Sequence, residues 1–204
     1  MSAVTANRRT IVCAGAVAIL LLGASAALLP AEGRSSKAGR ATNVTLYDAQ
    51  GDKIGHARLK PAGEGATRVL ARITDAAPGF HGFHVHTAGV CDPDAPNGPF
   101  TSALGHFALA GQSHGAHAGD LPSLLVMEDG TARLEFVTDR FEVSDLHDDD
   151  GSAVMIHAGR DNFANIPDRY VSTASGQPGP DGDTLATGDA GSRYACGVVA
   201  AKKG

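Results

Sequence analysis

The sequence contains no tryptophan, and aromatic residues make up only 5% of its 204 residues. Long runs of strong helix formers are also missing, and no apolar pattern of helical period extends over a useful length. Glycine, in contrast, occurs 26 times. Abundant glycine with short alternating segments is typical of a strand-and-turn architecture. These features exclude a helical bundle and favour an all-β domain.

Positive charge is in short supply. The chain has 17 Lys and Arg residues against 22 Asp and Glu residues, and its formal net charge at pH 7 is −5. A surface that binds nucleic acid needs an excess of Lys and Arg over Asp and Glu, because it must neutralise phosphates. We therefore expect no nucleic-acid partner.

The chain has only three cysteines. Cys13 lies in an apolar N-terminal run, so Cys91 and Cys196 are the pair in the body of the chain. An exported protein with an even pair of cysteines should oxidise them. The disulfide would close a loop of about a hundred residues and would stabilise the fold by roughly 4–5 kcal/mol in the chain-entropy model. The alternative is two free thiols, as in a cytosolic protein.

The N-terminus has the pattern of an export signal. Arg8 and Arg9 precede an apolar run over residues 11–22, and small residues follow at 24–26. Residues 1–26 are therefore predicted to be a signal peptide of the Sec or twin-arginine type. Because the apolar run reaches Leu29, a retained membrane anchor is the alternative. Residues 27–41 are predicted to be a flexible linker, and the protein is expected to be extracellular, periplasmic or associated with the cell envelope.

Short alternating segments recur along the rest of the chain. About eight strands are predicted, at residues 42–47, 54–60, 66–74, 80–86, 122–127, 131–138, 152–157 and 194–200. The fifth and sixth flank Glu128, Asp129 and Gly130 and are predicted to form a hairpin. Two long loops, residues 91–120 and 161–192, are unusual for a compact domain and are therefore predicted to be functional. The pattern predicts an eight-stranded sandwich or flattened barrel over residues 42–200.

The histidines are clustered. Seven of the nine lie between residues 81 and 117 or at 157, and His84 and His86 are two residues apart in a strand, so their side chains share one face. A single buried histidine is more often an ordinary core residue, but so many placed together indicate a metal site. Four imidazoles suit a redox-active copper: His84, His86, His106 and His157.

A second set of candidate ligands follows within fifteen residues. Three imidazoles and one carboxylate suit tetrahedral zinc; the candidates are His106, His114, His117 and Asp120. The sequence therefore predicts two metals, with His106 available to both sets.

Six short segments carry a resemblance to a known family. They are residues 82–86, Cys91, and residues 105–107, 117–122, 157–162 and 188–197. In this order they closely resemble the copper/zinc superoxide dismutases, most of all their exported bacterial branch, over about residues 42–200. The resemblance implies a Greek-key β-barrel that disproportionates superoxide to dioxygen and hydrogen peroxide by redox cycling of a histidine-bound copper.

Roles for individual residues follow from the resemblance. It implies copper on the four-histidine set, and zinc on the second set with His106 as the bridge and a catalytic residue. Arg193 matches the arginine that faces superoxide, and Asp161 matches the carboxylate that joins a copper ligand to a zinc ligand. Cys91 and Cys196 match the family disulfide.

The chain departs from the family pattern at two places. Only two residues separate His114 from His117, and Leu104 stands where the family usually has glycine. The copper set is complete, whereas the shortened segment is where zinc binding could be lost. Two other functions stay open: a non-catalytic copper-binding or copper-buffering exported module, and a structural zinc-only domain. A homodimer is also possible.

Overall fold

The computed structural model describes residues 40–202. The chain divides into two units, residues 1–35 and residues 36–204, and the fold described here is that of the second. The predicted signal or anchor, residues 1–26, and most of the predicted linker lie outside the described residues. Within residues 40–202, no helix is both long enough and apolar enough to cross a membrane.

The described chain is almost entirely β-structure, which confirms the predicted fold class. Its strands are β1 Thr42–Asp48, β2 Lys53–Pro61, β3 Thr67–Ile73, β4 Gly79–His81, β5 Phe83–His86, β6 Leu124–Val126, β7 Ala132–Thr138, β8 Ser152–His157 and β9 Arg193–Val199. The helical elements are a short helix α1, Gly182–Thr187, and 3₁₀ turns at Thr101–Ala103 and Val143–Leu146.

Seven strands form one curled antiparallel sheet in the order β5-β8-β9-β1-β2-β3-β7. The neighbours β5–β8, β9–β1 and β3–β7 are far apart in sequence, which is the Greek-key type of connection. Alternate side chains of the strands point inwards. Leu46, Leu59, Val69 and Phe83 are among the fully buried residues of the core.

The sheet brings the candidate copper ligands onto neighbouring strands. β5 pairs with β8, so that His84 lies opposite Met155 and His86 opposite Ala153. His157 ends β8 and lies opposite Arg193, the first residue of β9. The paired strands β5 and β8 therefore carry three of the four predicted copper ligands.

The prediction of one strand over residues 80–86 is wrong, because Gly82 separates two strands, β4 and β5. A side chain at Gly82 would place its Cβ 2.7 Å from the Cβ of Ala190 and 3.0 Å from the His84 ring. The Gly82 N–H donates to Gly159 O at 2.8 Å, and its carbonyl accepts from the His157 N–H at 2.8 Å. β4 thus lies outside the large sheet, while β5 enters it beside β8. The described residues consequently contain nine strands rather than about eight.

The predicted hairpin of residues 122–127 and 131–138 is confirmed only at its turn. The Met127 N–H donates to Thr131 O at 2.8 Å. Beyond the turn, β6 pairs with β4 and β7 pairs with β3. Both partners are distant in sequence, so local patterning could not identify them.

The disulfide between Cys91 and Cys196 is formed, with 5.7 Å between the two Cα atoms. The alternative of two free thiols is therefore wrong. Cys196 lies in β9 and packs with Phe100, Ala103 and Met155 in a small apolar cluster. The bond fixes the loop that precedes His106 onto the sheet.

Candidate metal centre

The four predicted copper ligands converge. One ring nitrogen from each of His84, His86, His106 and His157 lies within 4.8 Å of the others, and all four residues are buried. The Nε2 atoms of His86 and His157 are 3.3 Å apart. His106 comes from the loop and forms an isolated antiparallel bridge with His86. The arrangement confirms that these four histidines form one cluster.

Hydrogen bonds to the outer nitrogens orient three of these rings. His86 Nδ1 bonds to Leu104 O at 2.9 Å, and His157 Nδ1 bonds to Gly191 O at 3.0 Å. His84 bonds through Nε2 to Asp161 Oδ2 at 2.7 Å, and its buried Nδ1 has no hydrogen-bond partner among the described residues. Such outer bonds fix the tautomer and leave the inner nitrogen as a ligand. Imidazole nitrogens are ligands that suit copper, so copper fits this all-imidazole donor set.

The second predicted set also converges, around one carboxylate oxygen. Asp120 Oδ1 lies 2.9 Å from His106 Nδ1, 3.2 Å from His114 Nδ1 and 3.3 Å from His117 Nδ1. The Nδ1 atoms of His106 and His114 are 3.2 Å apart. A tetrahedral ion with ligand bonds of about 2.0–2.1 Å requires donor–donor edges of roughly 3.3 Å. These four donors therefore fit zinc.

His117 is the outlying member of this set. The tight cluster of donor atoms within 4.8 Å of one another contains His84, His106, His114 and Asp120, and His117 is not part of it. His117 nevertheless fits this set, because its Nδ1 is buried, has no hydrogen-bond partner among residues 40–202 and lies 3.3 Å from Asp120 Oδ1. His84 already bonds to Asp161, and its ring also belongs to the copper cluster.

The Asp120 carboxylate divides its two oxygens between the metal ligands and the backbone. Its Oδ2 accepts from the Gly115 N–H at 2.7 Å and from the His117 N–H at 3.0 Å. These bonds close the short segment between His114 and Asp120 and leave Oδ1 facing the imidazoles. They are the local reason why a spacing of only two residues still brings both histidines to the site.

Asp161 connects the two clusters as the resemblance implies. Its Oδ2 bonds to His84 Nε2 and its Oδ1 bonds to His114 Nε2, both at 2.7 Å, and all three side chains are fully buried. Gly188, at φ +62°, packs directly against Asp161 Oδ1 and His114 Nε2, where a Cβ atom would collide with both. The glycine therefore leaves room for the bridging carboxylate.

Burial favours the neutral form of His84, His86 and His157. It lowers the pKa of His84 from 6.5 to about 4 and that of His157 to about 3, and it lowers the pKa of His86 well below 6.5. Neutral imidazoles have a free lone pair, which is the form that binds metals.

The carboxylates of the site reverse this effect at His114. Burial lowers the pKa of His114, but its bonds to Asp120 and Asp161 outweigh burial and raise that pKa to about 9. Burial alone would raise the pKa of the Asp120 and Asp161 carboxyl groups. Their hydrogen bonds to the histidines outweigh burial and hold both pKa values below 3.8. The site therefore contains two carboxylates with charge available to a cation.

Arg193 lies at the copper end of the site. Its Nη1 and Nη2 atoms donate to the carbonyl oxygens of Phe100 and Leu104, and burial lowers the pKa of its guanidinium. The Leu104 carbonyl thus accepts from both Arg193 and His86 Nδ1. Leu104 has φ +62° and ψ −152°, a region that almost only glycine occupies. This conformation accounts for the glycine usual in the family at this position.

His81 supports the site although it lies in none of the sequence motifs. It is buried, and it bonds through Nδ1 to His157 O and through Nε2 to Ala77 O, both at 2.8 Å. His81 therefore holds the backbone of a copper-set residue. Its adjacency to residues 82–86 was the only available signal.

Two neighbouring sites, one of four imidazoles and one of three imidazoles and a carboxylate, define the class: a β-protein that binds copper and zinc side by side. The family model described as copper/zinc superoxide dismutase (SODC) matches residues 53–199. The chain belongs to the copper/zinc superoxide dismutase family.

Relatives in sequence and structure agree with this assignment. The chain is 44% identical over 173 residues to the copper/zinc superoxide dismutase of Mycobacterium tuberculosis, covering 80% of this chain and 72% of the relative. It is 48% identical over 130 residues to that of Mycolicibacterium paratuberculosis, covering 61% and 57%. The structure of Cu/Zn superoxide dismutase from Brucella abortus aligns with a TM-score of 0.59 and 25% identity, covering 78% of this chain and 99% of that one.

Proposed function

We propose that this protein disproportionates superoxide: two superoxide anions and two protons give one dioxygen and one hydrogen peroxide. The observation that carries the proposal is the convergence of four buried imidazoles beside Arg193. His84, His86, His106 and His157 would hold copper, which supplies one-electron redox chemistry when bound. Zinc would be held by His106, His114, His117 and Asp120.

Arg193 attracts and orients the substrate. Superoxide is a small anion, and a fixed guanidinium raises its local concentration although the whole chain is acidic. Carbonyl oxygens of Phe100 and Leu104 hold the guanidinium in place. Local field rather than net charge therefore draws the anion to the site.

His106 supplies one of the two protons that the reaction consumes. Its Nδ1 faces Asp120 and His114, so Nε2 is the nitrogen left for the copper cluster. An imidazole in this position can carry a proton on Nε2 and pass it to the peroxide product.

The test measures metal content and superoxide turnover together, before and after copper chelation. Copper and zinc near one each per chain, with turnover that the chelator abolishes, is the expected result. Arg193→Gln should lower kcat/KM about 10-fold or more through loss of attraction without lowering copper content. Arg160→Gln, an exposed arginine three residues after His157, is the matched control and should leave kcat/KM unchanged. An unchanged rate in Arg193→Gln would remove the role of that residue.

A non-catalytic copper-buffering module is the competing function. It predicts bound copper without turnover. The placement of Arg193 and of the Asp161 bridge favours the enzyme, because a buffer needs neither an anion anchor nor a link to a second metal. A zinc-only domain is disfavoured by the complete set of four copper-site imidazoles.

We also propose that the chain is exported. The support is the sequence pattern of Arg8, Arg9, the apolar run and the small residues at 24–26, together with a disulfide in the folded unit. N-terminal sequencing of the protein from fractionated cells tests the proposal. A mature N-terminus near Ala27 indicates cleavage, and an intact N-terminus in the membrane fraction indicates an anchor. An intact chain in the cytosol would contradict export.

A further inference from the structure

Arg140, which follows β7, holds the backbone of the short segment that carries the zinc ligands. Its Nη1 donates to His117 O at 3.1 Å and to Asp120 O at 3.4 Å, and its Nη2 donates to Gly115 O at 3.2 Å. The guanidinium therefore contacts three carbonyl groups within six residues. No sequence motif singled this arginine out.

These bonds complement those of the Asp120 carboxylate. Oδ2 of Asp120 accepts from the backbone N–H groups of Gly115 and His117, whereas Arg140 binds carbonyl groups of the same two residues. One side chain thus satisfies the donors of the turn and another satisfies its acceptors. Because only two residues separate His114 from His117, few backbone N–H and C=O groups of the turn can bond to one another.

We propose that Arg140 is a positioning residue that sets the affinity of the zinc site without setting that of the copper site. The inference rests on the zinc binding put forward under Proposed function. His117 is the zinc ligand that depends most on this contact, since it lies outside the tight donor cluster and Arg140 bonds to its carbonyl. The copper ligands on β5 and β8 are oriented by Leu104, Gly191 and Asp161 instead.

A planar guanidinium is suited to this role. It presents several N–H donors in a fixed fork, whereas an ammonium or a primary amide offers fewer donors in that plane. Removing the fork leaves the Gly115 and Asp120 carbonyls to water and leaves His117 O with the Asp120 N–H at 3.1 Å. The turn can then relax, and His117 Nδ1 can leave its position 3.3 Å from Asp120 Oδ1. Loss of such outer partners typically lowers metal affinity 10–100-fold.

The experiment titrates copper-loaded, zinc-free protein with Zn²⁺ against a chromophoric chelator, and separately measures Cu²⁺ affinity of the metal-free protein. Arg140→Gln should weaken Zn²⁺ binding about 10–100-fold and change Cu²⁺ affinity less than about 3-fold. Co²⁺ titrated into the zinc position of copper-loaded protein gives an independent readout, because the visible spectrum of Co²⁺ reports its coordination geometry. That spectrum should change in Arg140→Gln.

Arg133→Gln is the matched control, because Arg133 is an exposed arginine of β7 whose described ion pair is with Glu135. It should leave both affinities at wild-type values. Arg140→Lys keeps the charge and should give an intermediate Zn²⁺ affinity; it also serves if Arg140→Gln does not fold, which thermal unfolding of the metal-free proteins checks.

Zn²⁺ affinity within about 3-fold of wild type in both Arg140 variants would overturn the proposal, and so would a parallel loss of Cu²⁺ and Zn²⁺ affinity. A wild-type protein that binds no Zn²⁺ would overturn this role and the zinc assignment together. Copper-dependent superoxide turnover would still be decided by its own assay.

Discussion

Replacing Asp161 with asparagine should uncouple the two metal sites. The carboxylate accepts three hydrogen bonds at 2.7 Å, one from His84 at Oδ2 and two at Oδ1, from His114 and from the Phe163 N–H. The side chains of Asp161, His84 and His114 are fully buried. An asparagine keeps one acceptor oxygen, while its NH₂ group is a donor and meets a ring nitrogen that also carries a proton. One of the two imidazoles must therefore change its tautomer or turn away.

The loss of affinity for each metal depends on the hydrogen-bond partners that its imidazole ligands keep. Hydrogen bonds to a charged group contribute about 1.5–3 kcal/mol, and losing an outer partner of a ligand lowers affinity about 10–100-fold. His86 and His157 keep their backbone carbonyl partners, so copper should lose less than about 10-fold. Zinc should lose less than copper, because an asparagine oxygen at the Oδ1 position keeps the bonds from His114 and from the Phe163 N–H, whereas the NH₂ group then faces His84.

Competition titrations with chelators for each metal measure both affinities in Asp161→Asn. Asp168→Asn, an exposed aspartate of the same loop, is the control and should behave as wild type. Wild-type affinity for both metals in Asp161→Asn would show that the backbone alone orients His84 and His114, and the reasoning would then be wrong. A larger loss for zinc than for copper would also refute it.

Two further predictions concern the metal-free protein. The pKa values of about 4 for His84 and about 3 for His157 lie below the ordinary 6.5, so stability should be unaffected by these residues above pH 6.5 and fall as the pH drops below it. Between pH 7 and pH 5, His84 and His157 together should lower the free energy of unfolding by about 4 kcal/mol. His114, whose pKa is raised, should offset about 1 kcal/mol of this loss. Equal urea midpoints at both pH values would contradict the prediction. Leu104→Gly should raise the free energy of unfolding by about 1 kcal/mol, because relief of about 1–3 kcal/mol of backbone strain exceeds the entropic cost of glycine. A lower midpoint in urea would argue against strain at Leu104.

The sequence predicted what local spacing and ligand chemistry determine. The strand of residues 152–157 is found with the same bounds, and the alternation at His84 and His86 placed two imidazoles on one face. The family motifs indicated the remaining candidate ligands and the Asp161 carboxylate that joins the two clusters.

Contacts between distant segments could not be predicted in this way. β6 pairs with β4 rather than with its neighbour in sequence, since the break at Gly82 depends on the approach of Ala190, more than a hundred residues away. Arg140 and His81 act through backbone carbonyls, which every residue possesses, so no side-chain pattern indicates their partners.

The carbonyl of Leu104 has a consequence for how this site can change. It accepts from the copper-set residue His86 and from Arg193, so the orientation of a ligand and the position of the anion-attracting charge share one backbone atom. Any displacement of residue 104 moves both at once, so the two properties cannot be tuned independently through this residue. A variant selected for altered substrate attraction through residue 104 would therefore also change the orientation of the His86 ring.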